Sequence, residues 1–153
     1  MKGPVLMGMV GCALLLASCA SGRYLAEGMA RQTDAPDAAV VHVMRKSQIV
    51  GCSMKMGVCL DAKMVAQLGP GERLELRVLP GEHFLETGLA SKHRWFTGDT
   101  EVLSRFDAEP RKTYYFLCSM AMQGERYRLT QLTGPAGKKE LSAQGYDLLT
   151  TDD

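Results

Sequence analysis

From position 38 onward, short runs of the chain alternate apolar and polar residues, and Gly and Pro separate these runs. Alternation with a period of two, broken by frequent turn residues, is typical of β-strands. The clearest run covers 73–79, where Glu75 and Arg77 alternate with aliphatic residues. This strand is therefore expected to cover a core with one face and to meet water with the other.

Further runs of the same apolar character predict the remaining strands, at 39–44, 48–54, 58–61, 63–68, 82–90, 100–106, 113–122 and 127–133. The segments 48–54 and 58–61 are predicted to form a hairpin, and Pro80-Gly81 to make a type II turn between two pairing strands. Residues 138–149 predict a short helix. Because strands and helices do not alternate, the sequence predicts an all-β fold: a single antiparallel β-sandwich of seven or eight strands with a short C-terminal helix.

The start of the chain has a different pattern. Lys2 precedes an apolar run from Val5 to Leu16, and the small residues Ala17 and Ser18 follow it. This is the arrangement of a signal peptide. The run is shorter than the ~20 apolar residues that a membrane-spanning helix needs, so it is not predicted to be a transmembrane span.

Residues 16–19, Leu-Ala-Ser-Cys, resemble a bacterial lipobox. The resemblance implies that residues 1–18 are removed as a lipoprotein signal peptide and that Cys19 becomes the first residue, carrying covalent diacylglycerol and further acyl groups such as palmitate. Two or more acyl chains hold a protein on a bilayer, whereas one chain does not. Ala20 follows the cysteine where some lipoproteins have Asp, which by the same resemblance implies the outer membrane, facing the periplasm. The alternative is an ordinary secretory signal cut near Ala20, with Cys19 unmodified.

Composition sets the remaining boundaries and the class of partner. Residues 19–37 contain few apolar side chains and are predicted to be a flexible tether that would let the domain move about 20–25 Å from the bilayer. Residues 38–133 are predicted to be the β-sandwich domain and 134–153 a tail with the short helix.

The chain has 18 basic and 17 acidic residues, which become equal in number once Lys2 is removed. A neutral chain does not collect nucleic acid, so the expected partners are the membrane and envelope proteins or glycans.

Three cysteines besides Cys19 would reach an oxidising compartment, where disulfides persist. If 54–57 forms a four-residue hairpin loop, Cys52 lies opposite Cys59 at a separation that a disulfide can bridge. We therefore predict a Cys52–Cys59 disulfide. Cys118 lies among apolar neighbours and is interpreted as a buried thiol.

The same stretch supports an alternative hypothesis, which is soft-metal binding. Four sulfur ligands lie within eight residues, at Cys52, Met54, Met56 and Cys59. Thiolate and thioether are the ligands that Cu(I) prefers. Apart from this alternative and the acyl groups on Cys19, no cofactor is predicted.

A second alternative is surface recognition by the segment 91–98. Lys92 and Arg94 stand beside Trp95 and Phe96 in it. Cations next to large aromatic rings suit the binding of an anionic glycan, a lipid headgroup or a partner protein. The structural alternative is that both aromatic side chains turn inward and close one end of the sandwich.

Nothing in the sequence marks a reaction. His42, His83 and His93 have no nucleophile at a recognisable spacing, and the chain lacks both a Gly-x-Ser-x-Gly elbow and a Gly-rich phosphate loop. His83, just after the Pro80-Gly81 turn, is interpreted as a strand-start residue. We therefore predict a protein that is not an enzyme.

One set of landmarks spans most of the sandwich: Val41-x-Val43-x-Arg45, then Arg73 and Val78-x-Pro80-Gly81-x-His83, and finally Thr113-Tyr114-Tyr115. This order is similar to a family of small bacterial lipoproteins whose β-domain has no known function, and the Pro-Gly-x-His turn resembles that of PEGA-type surface domains. The landmarks lie in turns and strands, so the resemblance implies a β-domain over about residues 38–133 and no particular activity. Together with the lipobox-like residues, the sequence leads us to expect a lipid-anchored protein of the cell envelope that serves as a structural, adaptor or binding module.

Overall fold

The alternating segments form two five-stranded sheets that pack face to face, which confirms the all-β sandwich with a short C-terminal helix. The computed structural model describes residues 22–25, 33–49, 52–90, 102–120 and 127–149. Its elements are β1 Arg23–Tyr24, β2 Ala39–Arg45, β3 Met56–Leu60, β4 Lys63–Leu68, β5 Glu72–Val78, β6 Gly81–Leu89, β7 Val102–Ala108, β8 Thr113–Met120, β9 Tyr127–Leu132, α1 Gly134–Ala143 and β10 Asp147–Leu148. The first sheet has the order β1-β4-β3-β6-β7, and the second has the order β10-β5-β2-β8-β9.

Two strand pairs of the second sheet depart from the predicted antiparallel arrangement. β2 runs parallel to β8, with Val41 beside Tyr114, and β10 runs parallel to β5. The description of the sandwich as antiparallel is wrong for these two pairs. The strands of each pair are far apart in the sequence, so no tight hairpin sets their relative direction.

Period-two alternation separates the side chains that fill the core from those that face outward. In β2, Val41 and Val43 are fully buried between the sheets, whereas Met44 belongs to a second apolar cluster on the outer face. β8 is buried on both faces, as the sequence predicts: Phe116 packs between the sheets and Tyr115 packs in the outer cluster.

Pro80 and Gly81 join the two sheets instead of two pairing strands. β5 lies in the second sheet and β6 in the first, so the prediction that they pair with each other is wrong. Gly81 has a φ of +131°, which confirms the predicted positive φ at this corner. Only glycine adopts such a φ without strain.

The predicted hairpin between 48–54 and 58–61 is also wrong. The described residues of the first segment form bends and turns, and β3 pairs with β4 and β6 instead. Asp61 and Ala62, with φ of +50° and +62°, form the two-residue turn that joins β3 to β4. Positive φ at both central positions is the requirement of a type I′ turn, which usually has Gly at the second position.

The C-terminal helix begins and ends earlier than the predicted 138–149. Its first turn contains Gly134 and Pro135. Proline is accepted there because it lacks only an N–H that the first turn of a helix does not use. Gly145, with a φ of +58°, lies just beyond the helix, and the chain then continues as β10. Leu141 packs on the outer apolar cluster of the second sheet.

The segment predicted to be a flexible tether contacts the sandwich in both of its described parts. β1 pairs with the edge of β4, and the Gly22 amide donates a hydrogen bond to the Glu72 carboxylate at 2.8 Å. Farther along, the Arg77 guanidinium donates to the Thr33 carbonyl at 3.1 Å. Gly22–Leu25 and 33–37 are therefore attached to the domain.

Candidate functional site

The structure does not gather the four sulfur atoms of the proposed copper site. Met56 is fully buried in the core between the sheets, and Met54 packs against the same core. Cys59 is three positions farther along the chain and alternates with Val58 and Leu60, which face that core. Since successive side chains of a strand point to opposite faces, the Cys59 thiol lies on the other side of the first sheet from Met56. No single ion can contact both atoms in this arrangement.

The register that would place Cys52 opposite Cys59 is absent. Cys59 lies between Met64 of β4 and Glu86 of β6, and Cys52 belongs to a turn that precedes β3. No disulfide joins the described cysteines. The predicted Cys52–Cys59 disulfide therefore loses the geometric argument from which it was inferred.

A buried arginine joins the two sheets at one end of the sandwich. Arg45 ends β2 in the second sheet, and its Nη1 donates hydrogen bonds at 2.6 Å to the carbonyls of Met54 and Leu68, on the side of the first sheet. The residue is only 5% exposed, and burial lowers the pKa of its guanidinium. The sequence signal was an arginine closing an otherwise apolar strand, but the pattern alone gave it no role.

Cys118 and Tyr127 lie near this arginine. Cys118 is fully buried, its thiol is 3.7 Å from the Thr87 hydroxyl, and burial raises its pKa to about 11. Such a thiol is protonated at neutral pH and is not a nucleophile. The hydroxyl of Tyr127 is buried without a hydrogen-bond partner among the described residues, and burial raises its pKa. Arg45, Cys118 and Tyr127 are thus polar side chains clustered in the core.

His42 is buried on the outer face of the second sheet. Its ring stacks on Tyr115 with 5.1 Å between centroids, and its Nδ1 lies 3.7 Å from a carboxylate oxygen of Glu75. Burial lowers the pKa of His42, while Glu75 raises it and Arg73 lowers it further. At neutral pH this side chain is therefore an uncharged ring.

His83 is held as a strand-start residue, which agrees with its interpretation from the sequence. Nδ1 lies 2.9 Å from the Asp61 carboxylate, and Nε2 lies 2.8 Å from the Leu79 carbonyl. Each ring nitrogen therefore lies within hydrogen-bonding distance of an oxygen acceptor. Because Asp61 also accepts from the Phe84 amide, the contacts fasten the β3–β4 turn to β6.

Two of the predicted sites lie outside the described residues. These are the lipidation candidate Cys19 and the segment containing Lys92, Arg94, Trp95 and Phe96. Within the ranges that the structure describes, no group of three or more His, Cys, Asp or Glu side chains could hold a metal ion. Those ranges also contain no helix with the length and apolar character needed to span a bilayer.

Comparison with known proteins does not assign the chain to a family. No family model matches it, and no curated protein matches it.

Proposed function

We propose that this protein is a lipid-anchored component of the bacterial cell envelope and that its β-sandwich is a noncatalytic structural, adaptor or binding module. The observation that carries the proposal is the Leu-Ala-Ser-Cys tetrapeptide at 16–19, placed after an apolar run of signal-peptide length. Residues 1–18 are removed, and Cys19 carries the acyl chains that hold the protein on the outer membrane.

The position of the first strand supports this proposal. β1 begins at Arg23, four residues after Cys19. A chain that starts at Cys19 therefore keeps every described contact of the sandwich, including the hydrogen bond from Gly22 to Glu72.

The chemistry of the described side chains supports a noncatalytic role. The thiol of Cys118 has a raised pKa and faces Thr87, and His83 contacts the Asp61 carboxylate and the Leu79 carbonyl. Each of these groups holds the fold together through its contacts. On this proposal the module binds or supports other envelope components, with envelope proteins or glycans as partners and the 91–98 segment as the alternative recognition surface.

Intact-mass analysis of protein recovered from bacterial membranes tests the proposal. We expect the mass of residues 19–153 plus diacylglycerol and acyl groups, and we expect the Cys19→Ser variant to lose acylation and leave the membrane fraction. An unmodified amino terminus, or membrane retention that is unchanged in Cys19→Ser, would contradict the proposal.

A further inference from the structure

One end of the sandwich carries the first described residue of the chain. The Gly22 amide binds Glu72, which begins β5, and the Gly71 amide donates to the carbonyl of Arg45 at 3.0 Å. Gly71 also lies beside Ser47, because a Cβ on this glycine would be 3.6 Å from the Ser47 Cβ. We call this end, which comprises Gly22, the loop 69–71 and residues 46–49, the anchor end.

The anchor end presents the most exposed of the described large apolar side chains. Ile49 is 93% exposed, and Lys46 on the same segment is also exposed. The position of Ile49 is set by its neighbour Gln48, whose side-chain amide accepts from the Met120 N–H at 2.8 Å and donates to the Met120 carbonyl at 3.3 Å. The Cys52 amide donates a hydrogen bond to the carbonyl of Ile49 at 3.3 Å. The Ile49 side chain is thus exposed on a segment that the hydrogen bonds of Gln48 hold in place.

The chain between Cys19 and the anchor end is very short. Gly22 follows Cys19 by three residues. An extended chain spans at most ~3.6 Å per residue, so Gly22 lies within roughly 11 Å of the acylated Cys19. Because β1 is paired with β4 and Gly22 is bonded to Glu72, the domain cannot draw on the rest of the 19–37 segment to move farther away.

We propose that the anchor end lies against the lipid bilayer and that Ile49 enters its headgroup region; this inference rests on the lipid anchor at Cys19 proposed above. An isoleucine at the boundary between headgroups and acyl chains is removed from water, and a lysine beside it meets lipid phosphates. The sandwich then stands with β5 directed away from the membrane. Leu79, which follows β5 and is 55% exposed, lies at the opposite end.

Leu79 provides a matched control, since seven strand residues separate the two ends and each adds about 3.3 Å. The acylated full-length protein would be reconstituted in phosphatidylcholine–phosphatidylglycerol vesicles with brominated acyl chains, which quench nearby tryptophan. The chain has one tryptophan, Trp95. Ile49→Trp and Leu79→Trp would each be made together with Trp95→Phe, and Ser47→Trp would serve as a second reporter at the anchor end if Ile49→Trp fails to fold.

We expect tryptophan at position 49 to be quenched at least about twofold and shifted to shorter emission wavelength, and tryptophan at position 79 to keep its emission. Equal quenching at the two positions, or stronger quenching at 79, would overturn the inference. The intact mass of the same sample separates the two proposals: acylated protein without quenching at 49 overturns the orientation alone, whereas a mass lacking acyl groups overturns both.

Discussion

At the scale of single residues, the buried side chain of Arg45 connects the two sheets. It is a buried cation whose hydrogen bonds end on carbonyls of Met54 and Leu68, so removing it leaves two acceptors without this donor. We expect Arg45→Ala to lower the free energy of unfolding by about 2–4 kcal/mol, because buried groups that lose a charged partner are costly. Urea denaturation would measure the loss.

The neighbouring Lys46→Ala variant is the control for Arg45→Ala. Lys46 is exposed, and substitutions at such surface positions usually change stability by less than about 0.5 kcal/mol. If Arg45→Ala were as stable as Lys46→Ala, the buried guanidinium would not be what fastens the two sheets at this end.

The buried ring of His42 predicts a loss of stability in acid. Its pKa is lowered in the folded state, so between its ordinary value of 6.5 and the lowered value the unfolded chain binds the proton and the folded chain does not. Stability therefore falls as the pH drops below about 6.5. Glu75 opposes this shift, and Arg73 adds to it.

His42→Phe keeps a ring to stack on Tyr115 and removes the titrating group. We expect the free energy of unfolding of the variant to change less than that of the wild type between pH 7 and pH 5, measured by urea titrations at each pH. Identical pH profiles would show that His42 titrates alike in the folded and unfolded chains.

Cys118 predicts a loss of stability in base. Its pKa rises from 9.0 to about 11 on folding, so between these values the unfolded chain releases a proton that the folded chain keeps. The stabilising contribution is complete below pH 9 and is lost as the pH rises toward 11. We expect the stability difference between wild type and Cys118→Ala to shrink by about 1–2 kcal/mol from pH 8 to pH 10.5. A difference that stays constant would contradict the raised pKa of Cys118 in the folded protein.

At the scale of elements, docking of α1 depends on a close approach that only glycine permits. A Cβ at Gly137 would overlap with the Cβ, Cγ and Cδ2 atoms of Tyr115, whereas a Cβ at Gly134 would meet open space. We therefore expect Gly137→Ala to destabilise the protein by about 1–3 kcal/mol, despite the better helix propensity of alanine. The matched Gly134→Ala variant should be neutral or slightly stabilising in the same thermal unfolding experiment.

If Gly137→Ala were as stable as Gly134→Ala, the helix would not rest on Tyr115 as the structure has it. Near-ultraviolet circular dichroism gives an independent measurement, because the Tyr115 ring should lose its fixed surroundings only in Gly137→Ala.

Eight of the ten strands among the described residues lie near segments that the apolar pattern predicts, because alternation records which face of a strand is buried. The pattern does not record partners. β2 pairs in parallel with β8 within the second sheet, and the chain crosses from the second sheet to the first at Pro80. Both features depend on which distant segments meet, and local alternation cannot specify that. The prediction of a strand at 48–54 is wrong for the described residues of this segment, because a short apolar run suits a strand and an irregular segment equally well. The pattern also does not predict the role of Arg45. Its hydrogen bonds go to the backbone carbonyls of Met54 and Leu68, which approach Arg45 only in the folded structure.

At the scale of the whole molecule, the pairing of β1 with β4 would make the chain after Cys19 a fixed attachment of the sandwich instead of a mobile tether. A Cβ at Gly22 would overlap with the carboxylate of Glu72 and with the backbone carbonyl of Gln67. The carboxylate belongs to a side chain that can rotate, but the carbonyl belongs to β4 and cannot move away alone. Alanine at position 22 should therefore release β1 from the sheet edge.

We expect Gly22→Ala to accelerate trypsin cleavage after Arg23 by about tenfold in the acylated protein, since cleavage follows the population of locally opened chain. The guanidinium of Arg23 is bonded to Gln67 in the wild type, so its release requires β1 to detach. Once β1 and the adjacent Leu25 are detached, the next described residue that contacts the sandwich is Thr33. The attachment then lengthens, and quenching of tryptophan at position 49 by brominated lipid should fall together with the rise in cleavage. Gly134→Ala, remote from β1, should change neither quantity, and fast cleavage with undiminished quenching would mean that the bilayer holds the anchor end without help from the short attachment.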